Sequence, residues 1–519
     1  MTPVVTGPWP DGLERAFTAY EDALARDDTA VLDALFEPGD ATLRGDDAGL
    51  LRGHDRISAF RSARGGIAPR TIVSVDVQQL TPDAVLVVAV SAFTAGGRGL
   101  QTQLWCRTDG VWRIRTAHVT GRPRAFDRSV WRVVGDPLLH GAEDGPLAGL
   151  RVTVKDLFAV RGQVVGAGNP TWERAAPASA VSAPAVQDLL DAGADVTGIA
   201  RTDEFAYALS GRNTHTGAPP NGADPERIGG GSTSGPASAV ALGQADVGLG
   251  TDTAGSLRVP ASYQGLWGLR TTHGAVPRDD LLPLAQSFDT VGWLTRSPSV
   301  LAAVAAVALP AAPTAVDDHE LLVSDALLNA VEPDTRAAFD AWLTAQGRPV
   351  RHVDVPDLDV LAETLRVVQA AEAWRNDGAW VTAHPGALGA DVAARFAAAE
   401  AVSAADEAAA RDQIGMLRRR VRDVLGGGVL CLPTVPGPAP RRTATDATVL
   451  RTRSATLRMT AVAGIGGLPA VSAPLLTVDG APVGVCLVGP VGSDRSLVDL
   501  AAAVAASPSS PAPHQNGTT

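Results

Sequence analysis

The sequence predicts two units of different class: a small α+β domain, then a large α/β domain in which helices flank a mixed sheet. Three observations predict it. Residues 13–36, LERAFTAYEDALARDDTAVLDALF, carry apolar residues at helical spacing, and four strand-like runs follow them. From about residue 130 to 505, short apolar strands alternate with Ala-rich helices. The length of 519 residues suggests two to four domains.

The strand-like runs of the first unit are TIVSVDVQQL, AVLVVAVSAF, GLQTQLWCRT and VWRIRTAHV, broken by turns. This unit is expected to span residues 1–122, with a linker at 123–145. The large domain is expected at 146–506. In it GLRVTVKDLF reads as a strand, and APAVQDLLDAGADVTGIA and SAVALGQADVGLGT each read as a helix leading into a strand. Residues 357–425 are helical in pattern almost throughout and are expected to form an insertion. The segment 507–519, SPSSPAPHQNGTT, is polar and Pro-rich and predicts a disordered tail.

Composition narrows the function classes. A formal net charge of −12, with arginines dispersed apart from Arg418, Arg419, Arg420 and Arg422, argues against nucleic acid as a partner. Cys106, Cys431 and Cys486 are far apart and form no C-x-x-C, which fits a reducing compartment without a zinc site. MTPVVTGPWPDGLERAF lacks a basic start and an apolar core, and the apolar run VLAAVAAVAL is about half a bilayer's span. The expectation is a soluble cytoplasmic protein with no membrane partner.

One residue stands apart. Lys155 is the only lysine among the 44 Lys and Arg residues. Arginine would serve as well for a surface charge or an anion clamp, but it cannot give up its proton. The densest Gly/Ser/Thr stretch runs from Ile228 to Arg270, IGGGSTSGPASAVALGQADVGLGTDTAGSLRVPASYQGLWGLR. Two such loops around a short helix leave backbone N–H groups free for an oxyanion or a phosphate. G-x-x-x-x-G-K-[ST], G-x-S-x-G and H-E-x-x-H are all absent, so a P-loop, a hydrolase elbow and a zincin are unsupported.

Taken together, VKD, GGGSTSG and GTDTAGSLRVP resemble the amidase signature family, as do QSFDTVGW, VLCLPTVPGPAP and GLPAVSAP further along. GNPTW, GGGSTSGPASAV and LAQSFDTVGW are most similar to its plant-type amidase 1 subgroup, whose chemistry includes hydrolysis of indole-3-acetamide. The resemblance implies an α/β amidase-signature fold and a serine hydrolase with no cofactor and no metal. It assigns the base to Lys155, a bridging serine held by a cis peptide to Ser232, and the nucleophile to Ser256, 24 positions later. The N–H groups of Thr253, Ala254, Gly255 and Ser256 would form the oxyanion hole, with Thr233, Ser234, Asp252 and Arg258 in support. Two positions depart from the family: Ala254 stands where glycine is usual, and Pro236 where serine is usual. Alanine still offers its N–H at negative φ, and proline suits the first turn of a helix.

Through AYEDAL, RGHDRISAFR and WRIRTAHV, residues 1–122 resemble the SnoaL-like (nuclear transport factor 2-like) cone, and more narrowly the AtzH-like domains found with amidases. The resemblance implies a pocket, for which Tyr20, Arg44 and His118 are the candidates. It equally admits packing or homodimerisation as the unit's role, with His118 a buried strand histidine.

The chemistry asks for these residue types. Amide hydrolysis needs a nucleophile, a proton carrier for a poor leaving group, and stabilisation of an oxyanion. Burial lowers a lysine's pKa and makes it a base near neutrality, which arginine could not become. The expectation is an amidohydrolase acting on a small-molecule amide. Two other readings stay open: a hydrolase of urea-like or carboxylated amides, of the biuret or cyanuric acid type, and a non-catalytic binding scaffold. A tRNA amidotransferase subunit is disfavoured by the acidic charge and the fused first unit.

Overall fold

The computed structural model describes residues 3–46, 49–64, 70–93, 98–119, 126–310 and 314–506. The expected tail, 507–519, lies outside them. The chain divides into two compact units, Met1–Phe126 and Asp127–Thr519.

In the first unit, Leu13, Phe17 and Tyr20 recur every three or four residues and give helix α1 (Leu13–Arg26) one buried face. Asp28 caps α2 (Thr29–Ala34) by accepting from the Val31 amide at 3.1 Å. With α3 (His54–Arg64), these helices accompany a seven-stranded sheet. Its strands are β1 (Val4–Thr6), β2 (Leu43–Asp46), β3 (Gly49–Arg52), β4 (Arg70–Thr81), β5 (Ala84–Phe93), β6 (Arg98–Thr108) and β7 (Val111–Val119), in the order β1-β4-β5-β6-β7-β2-β3. Phe17, Tyr20, Phe36, Trp105 and Trp112 fill the core between helices and sheet.

Two of the three pocket candidates lie inside this unit. Tyr20 is buried edge-on to Trp105, and burial pushes its phenol pKa up. Arg44 is buried with its guanidinium over Phe60. His118 is exposed, which corrects both its pocket and its core assignment. The β6–β7 register jumps from Leu104↔Thr116 to Trp105↔Ile114, so Arg115 is an extra residue in β7. That bulge inverts the inward-facing set from Trp112 and Ile114 to Ala117, and His118 turns outward.

The second unit is built on an eleven-stranded mixed sheet, β15-β14-β16-β18-β17-β12-β13-β11-β9-β10-β8. The strands are β8 (Trp131–Leu139), β9 (Arg151–Lys155), β10 (Asp195–Ala200), β11 (Val247–Asp252), β12 (Trp267–Arg270), β13 (Thr290–Thr295), β14 (Asp317–Val323), β15 (Val350–His352), β16 (Gly428–Pro433), β17 (Ala470–Val478) and β18 (Ala481–Val488). The expected linker is corrected here, because its residues 131–139 form β8 against β10. Gly135 and Pro137 interrupt the alternation of WRVVGDPLL, and the pairing itself carries two register shifts.

Helices cover both faces of this sheet: α4 (Pro170–Ala175), α5 (Pro184–Asp191), α6 (Ser234–Ala241), α7 (Arg258–Tyr263), α8 (Pro298–Ala308), α9 (Asp325–Leu328), α10 (Pro333–Ala345), α11 (Leu358–Ala383), α12 (Ala390–Glu400), α13 (Ala404–Leu425), α14 (Asp446–Gly466) and α15 (Asp494–Ala505). Alternate residues of one strand serve opposite cores. Val429 and Cys431 of β16 pack with α8, α10 and α15 on one face, whereas Leu430 and Leu432 pack with α11, α13 and α14 on the other. Residues 357–425 consist of α11, α12 and α13 with their turns. No helix among the described residues is long and apolar enough to cross a membrane.

What positions the site is the run β11-β9-β10, which is parallel throughout. The carboxyl ends of these strands share one edge of the sheet, and Lys155 and Asp252 are the last residues of β9 and β11.

Candidate active site

Lys155 is wholly buried, and its Nζ donates to three hydroxyls: Thr251 Oγ1 at 2.8 Å, Ser232 Oγ at 2.9 Å and Thr233 Oγ1 at 3.1 Å. Burial pushes its pKa down to about 7, against the pull of the acids Asp203, Asp289 and Asp252. The Thr233 hydroxyl donates onward to the Thr251 carbonyl at 3.2 Å, so its proton is committed. A neutral amine has two donors and one lone pair, so one of the hydroxyls must then turn its proton onto Nζ. Ser232 and Thr251 are the two whose protons are uncommitted.

Ser232 is held from several sides. The Gly231–Ser232 peptide is cis. The Ser232 carbonyl accepts from the Asp203 amide at 3.1 Å and from Thr202 Oγ1 at 3.0 Å, and the Gly231 amide donates to the Leu209 carbonyl at 2.9 Å. A Cβ on Gly231 would sit 2.3 Å from Asp203 Oδ2, so this close approach admits only glycine. Pro236 occupies the first turn of α6, where no intrahelical N–H bond is lost.

The second loop is fixed by Asp252. Its carboxylate accepts from Gly255 N at 2.8 Å and from Leu257 N at 3.2 Å, closing the turn that carries Ser256. Arg258 grips it bidentately through Nε at 3.0 Å and Nη2 at 2.9 Å, and Arg270 Nη1 adds a third contact at 3.0 Å. Burial alone would raise the Asp252 pKa, but the two guanidiniums hold it well below the usual carboxylate range. Arg258 is thereby spent on the loop. Thr460 Oγ1 donates to the Ala254 carbonyl at 2.8 Å, and Thr253 Oγ1 donates to Asp289 Oδ1 at 2.6 Å.

Of the four amides expected to face an oxyanion, Gly255 spends its N–H on Asp252, which corrects its assignment. The amides of Thr253, Ala254 and Ser256 have no acceptor among the described residues. Ala254 keeps a negative φ, whereas Gly255 adopts φ +122°, a conformation that leaves little choice but glycine. The Ser256 hydroxyl likewise has no hydrogen-bond partner among the described residues, so the Ser232–Ser256 link is not formed here. Ser234 Oγ stands 3.5 Å from the Ser232 carbonyl. No group of His, Cys, Asp and Glu among the described residues is placed to hold a metal.

Sequence reading missed Thr251, Arg270, Asp203, Asp289 and Thr460. Thr251 stands inside GTDTAGS and Asp289 inside QSFDTVGW, so motif membership was their signal. Asp203, Arg270 and Thr460 come from three separate segments that only the fold brings together.

A model of the amidase family matches residues 136–498, and a model of the AtzH-like family matches residues 11–123. Amidase 1 of Arabidopsis thaliana is 36% identical over 420 residues, covering 73% of this chain and 98% of its own length. The 2-amino-5-chloromuconic acid deaminase of Comamonas testosteroni is 34% identical over 402 residues, covering 73% of this chain and 86% of its own length. A crystal structure of an amidase superposes with a TM-score of 0.63 at 32% identity, covering 69% of this chain and 84% of that one.

Proposed function

The chain belongs to the amidase signature family and carries an AtzH-like domain ahead of it, and on that premise we propose that it hydrolyses a small-molecule carboxamide to a carboxylate and ammonia through an acyl-enzyme on Ser256. The observation that carries this reading is Lys155: a buried amine, ringed by three hydroxyls, with a pKa pushed down to about 7. A scaffold without chemistry would have no use for a desolvated lysine beside a loop whose Thr253, Ala254 and Ser256 amides are free.

In the proposed mechanism, neutral Lys155 takes the Ser232 proton as Ser232 takes that of Ser256, and Ser256 Oγ attacks the amide carbon. The link between the serines closes when the Ser256 hydroxyl turns to Ser232; such contacts are often open without substrate. The oxyanion develops against the amides of Thr253, Ala254 and Ser256, each donor being worth about 3 kcal/mol in the transition state. Collapse breaks the C–N bond, and the proton returns from Lys155 through Ser232 to the departing nitrogen. Water, deprotonated along the same path, then cleaves the ester and restores Ser256.

Of the other readings, a carboxylated amide is favoured by Arg453, a guanidinium that no acid pairs in the adjoining cavity. The name of the Comamonas relative also specifies an acid as its substrate. A panel of primary amides read by ammonia release and product mass tests the hydrolytic reading. At least one amide is expected to be turned over to the matching acid, and a folded chain inert towards the whole panel would overturn it.

A further inference from the structure

A cavity of about 580 Å³ opens between residues 209–214, helix α7, the start of α12 and the N-terminal half of α14. Its walls are shared with both loops of the candidate site. Val259 lines it and lies 3.1 Å from where a Cβ on Gly255 would stand. Leu209 lines it and accepts the Gly231 amide. Tyr263 lines it and would meet a Cβ on Gly230 at 2.9 Å.

The charges facing this cavity do not balance. Arg212, Arg395 and Arg453 line it against only Asp391 and Asp446. Asp391 is taken by Arg395 at 3.0 Å, and Asp446 is exposed, 3.7 Å from Arg212. Arg453 is left with no hydrogen bond or ion pair among the described residues, and its Nε is shut away from solvent. Burial, with Arg395 beside it, pushes the Arg453 pKa down to about 10, which still leaves it charged at neutral pH. A smaller cavity of about 100 Å³ meets the same two arginines against Tyr207 and Gln369. Arg453 is half-buried, with its Nε unpartnered and the rest of its fork left to the cavity, and that planar fork matches a carboxylate.

We propose that this cavity binds the far end of the amide substrate, and that this end is a carboxylate held by Arg453 with Arg395 beside it. The substrate class is then the monoamide of a dicarboxylic acid. The proposal rests on the hydrolytic reading of Ser256, with Arg453 as a specificity residue that takes no part in proton transfer.

The test compares the full-length wild-type chain with Arg453→Met and Arg453→Lys. Substrates are the monoamides of succinic, glutaric and adipic acids, set against neutral aliphatic amides of equal chain length. The ratio of kcat/KM for anionic over neutral amide should fall at least about tenfold in Arg453→Met, mainly through KM, and by less in Arg453→Lys. The thermal midpoint of Arg453→Met should not fall, because the substitution removes a half-buried charge that has no ion pair or hydrogen bond to lose. An unchanged ratio, or a lower midpoint with both amide classes impaired alike, would overturn the proposal and make Arg453 structural.

A second arm needs no turnover. Calorimetry should detect succinate, glutarate or adipate binding to Ser256→Ala, and that binding should disappear in Ser256→Ala/Arg453→Met. Absence of binding by all three would overturn the subsite whatever the kinetics. Binding without any amide turnover by the wild-type chain would uphold the subsite and sink the hydrolytic reading instead.

Discussion

Lys155→Arg is expected to lose at least about 10³-fold in kcat for amide hydrolysis while the chain stays folded. The guanidinium keeps its proton across the working pH range, so it can hold the three hydroxyls as a donor but cannot accept from Ser232. Because Lys155 is wholly buried, the larger head group could instead disturb packing. Lys155→Met separates the two effects, since it removes the base and keeps an unbranched side chain. Steady-state kinetics together with thermal midpoints check both variants. Near-normal turnover by either folded variant would remove Lys155 from the mechanism.

Ser256→Ala is expected to cost still more, at least about 10⁴-fold in kcat, because the nucleophile itself is gone. The two serines differ in a way that assigns their roles. Ser232 Oγ is tied to Lys155 Nζ at 2.9 Å, whereas Ser256 Oγ is unpartnered among the described residues and follows the free amides of Thr253 and Ala254 in the loop leading into α7. A fluorophosphonate should therefore add to Ser256, and peptide mapping by mass spectrometry should find the adduct on the peptide carrying GTDTAGS. An adduct on Ser232 would exchange the two assignments.

Much of this site was legible because its chemistry is local in sequence. Lys155, Ser232 and Ser256 each stand in a short motif, and the only lysine of an arginine-rich chain drew attention to itself. The strand-helix alternation likewise gave the mixed sheet and the helical region at 357–425. What stayed hidden depends on spatial neighbours. Arg270 reads as the end of an apolar strand, and only the sheet puts its guanidinium against Asp252. Gly255 looked like an oxyanion donor until the turn folded its N–H back onto that carboxylate. A one-residue bulge in β7 was enough to move His118 to the surface. The strand β8 was concealed by its own Gly and Pro. Arg453 carried no motif at all, and only its lack of a partner within a cavity marks it.

The central claim is that Lys155 is neutral when it works, and the pH dependence of kcat/KM on a non-ionising amide tests it most directly. The sign follows from the base form. Below the Lys155 pKa the amine is protonated and cannot accept, so kcat/KM should rise tenfold per pH unit on the acid side, bend near pH 7 and level off above it. The rate of fluorophosphonate labelling of Ser256 should follow the same curve. A bend near pH 10, where an ordinary lysine titrates, or a profile flat through pH 7 in both measurements, would contradict a buried neutral lysine as the base.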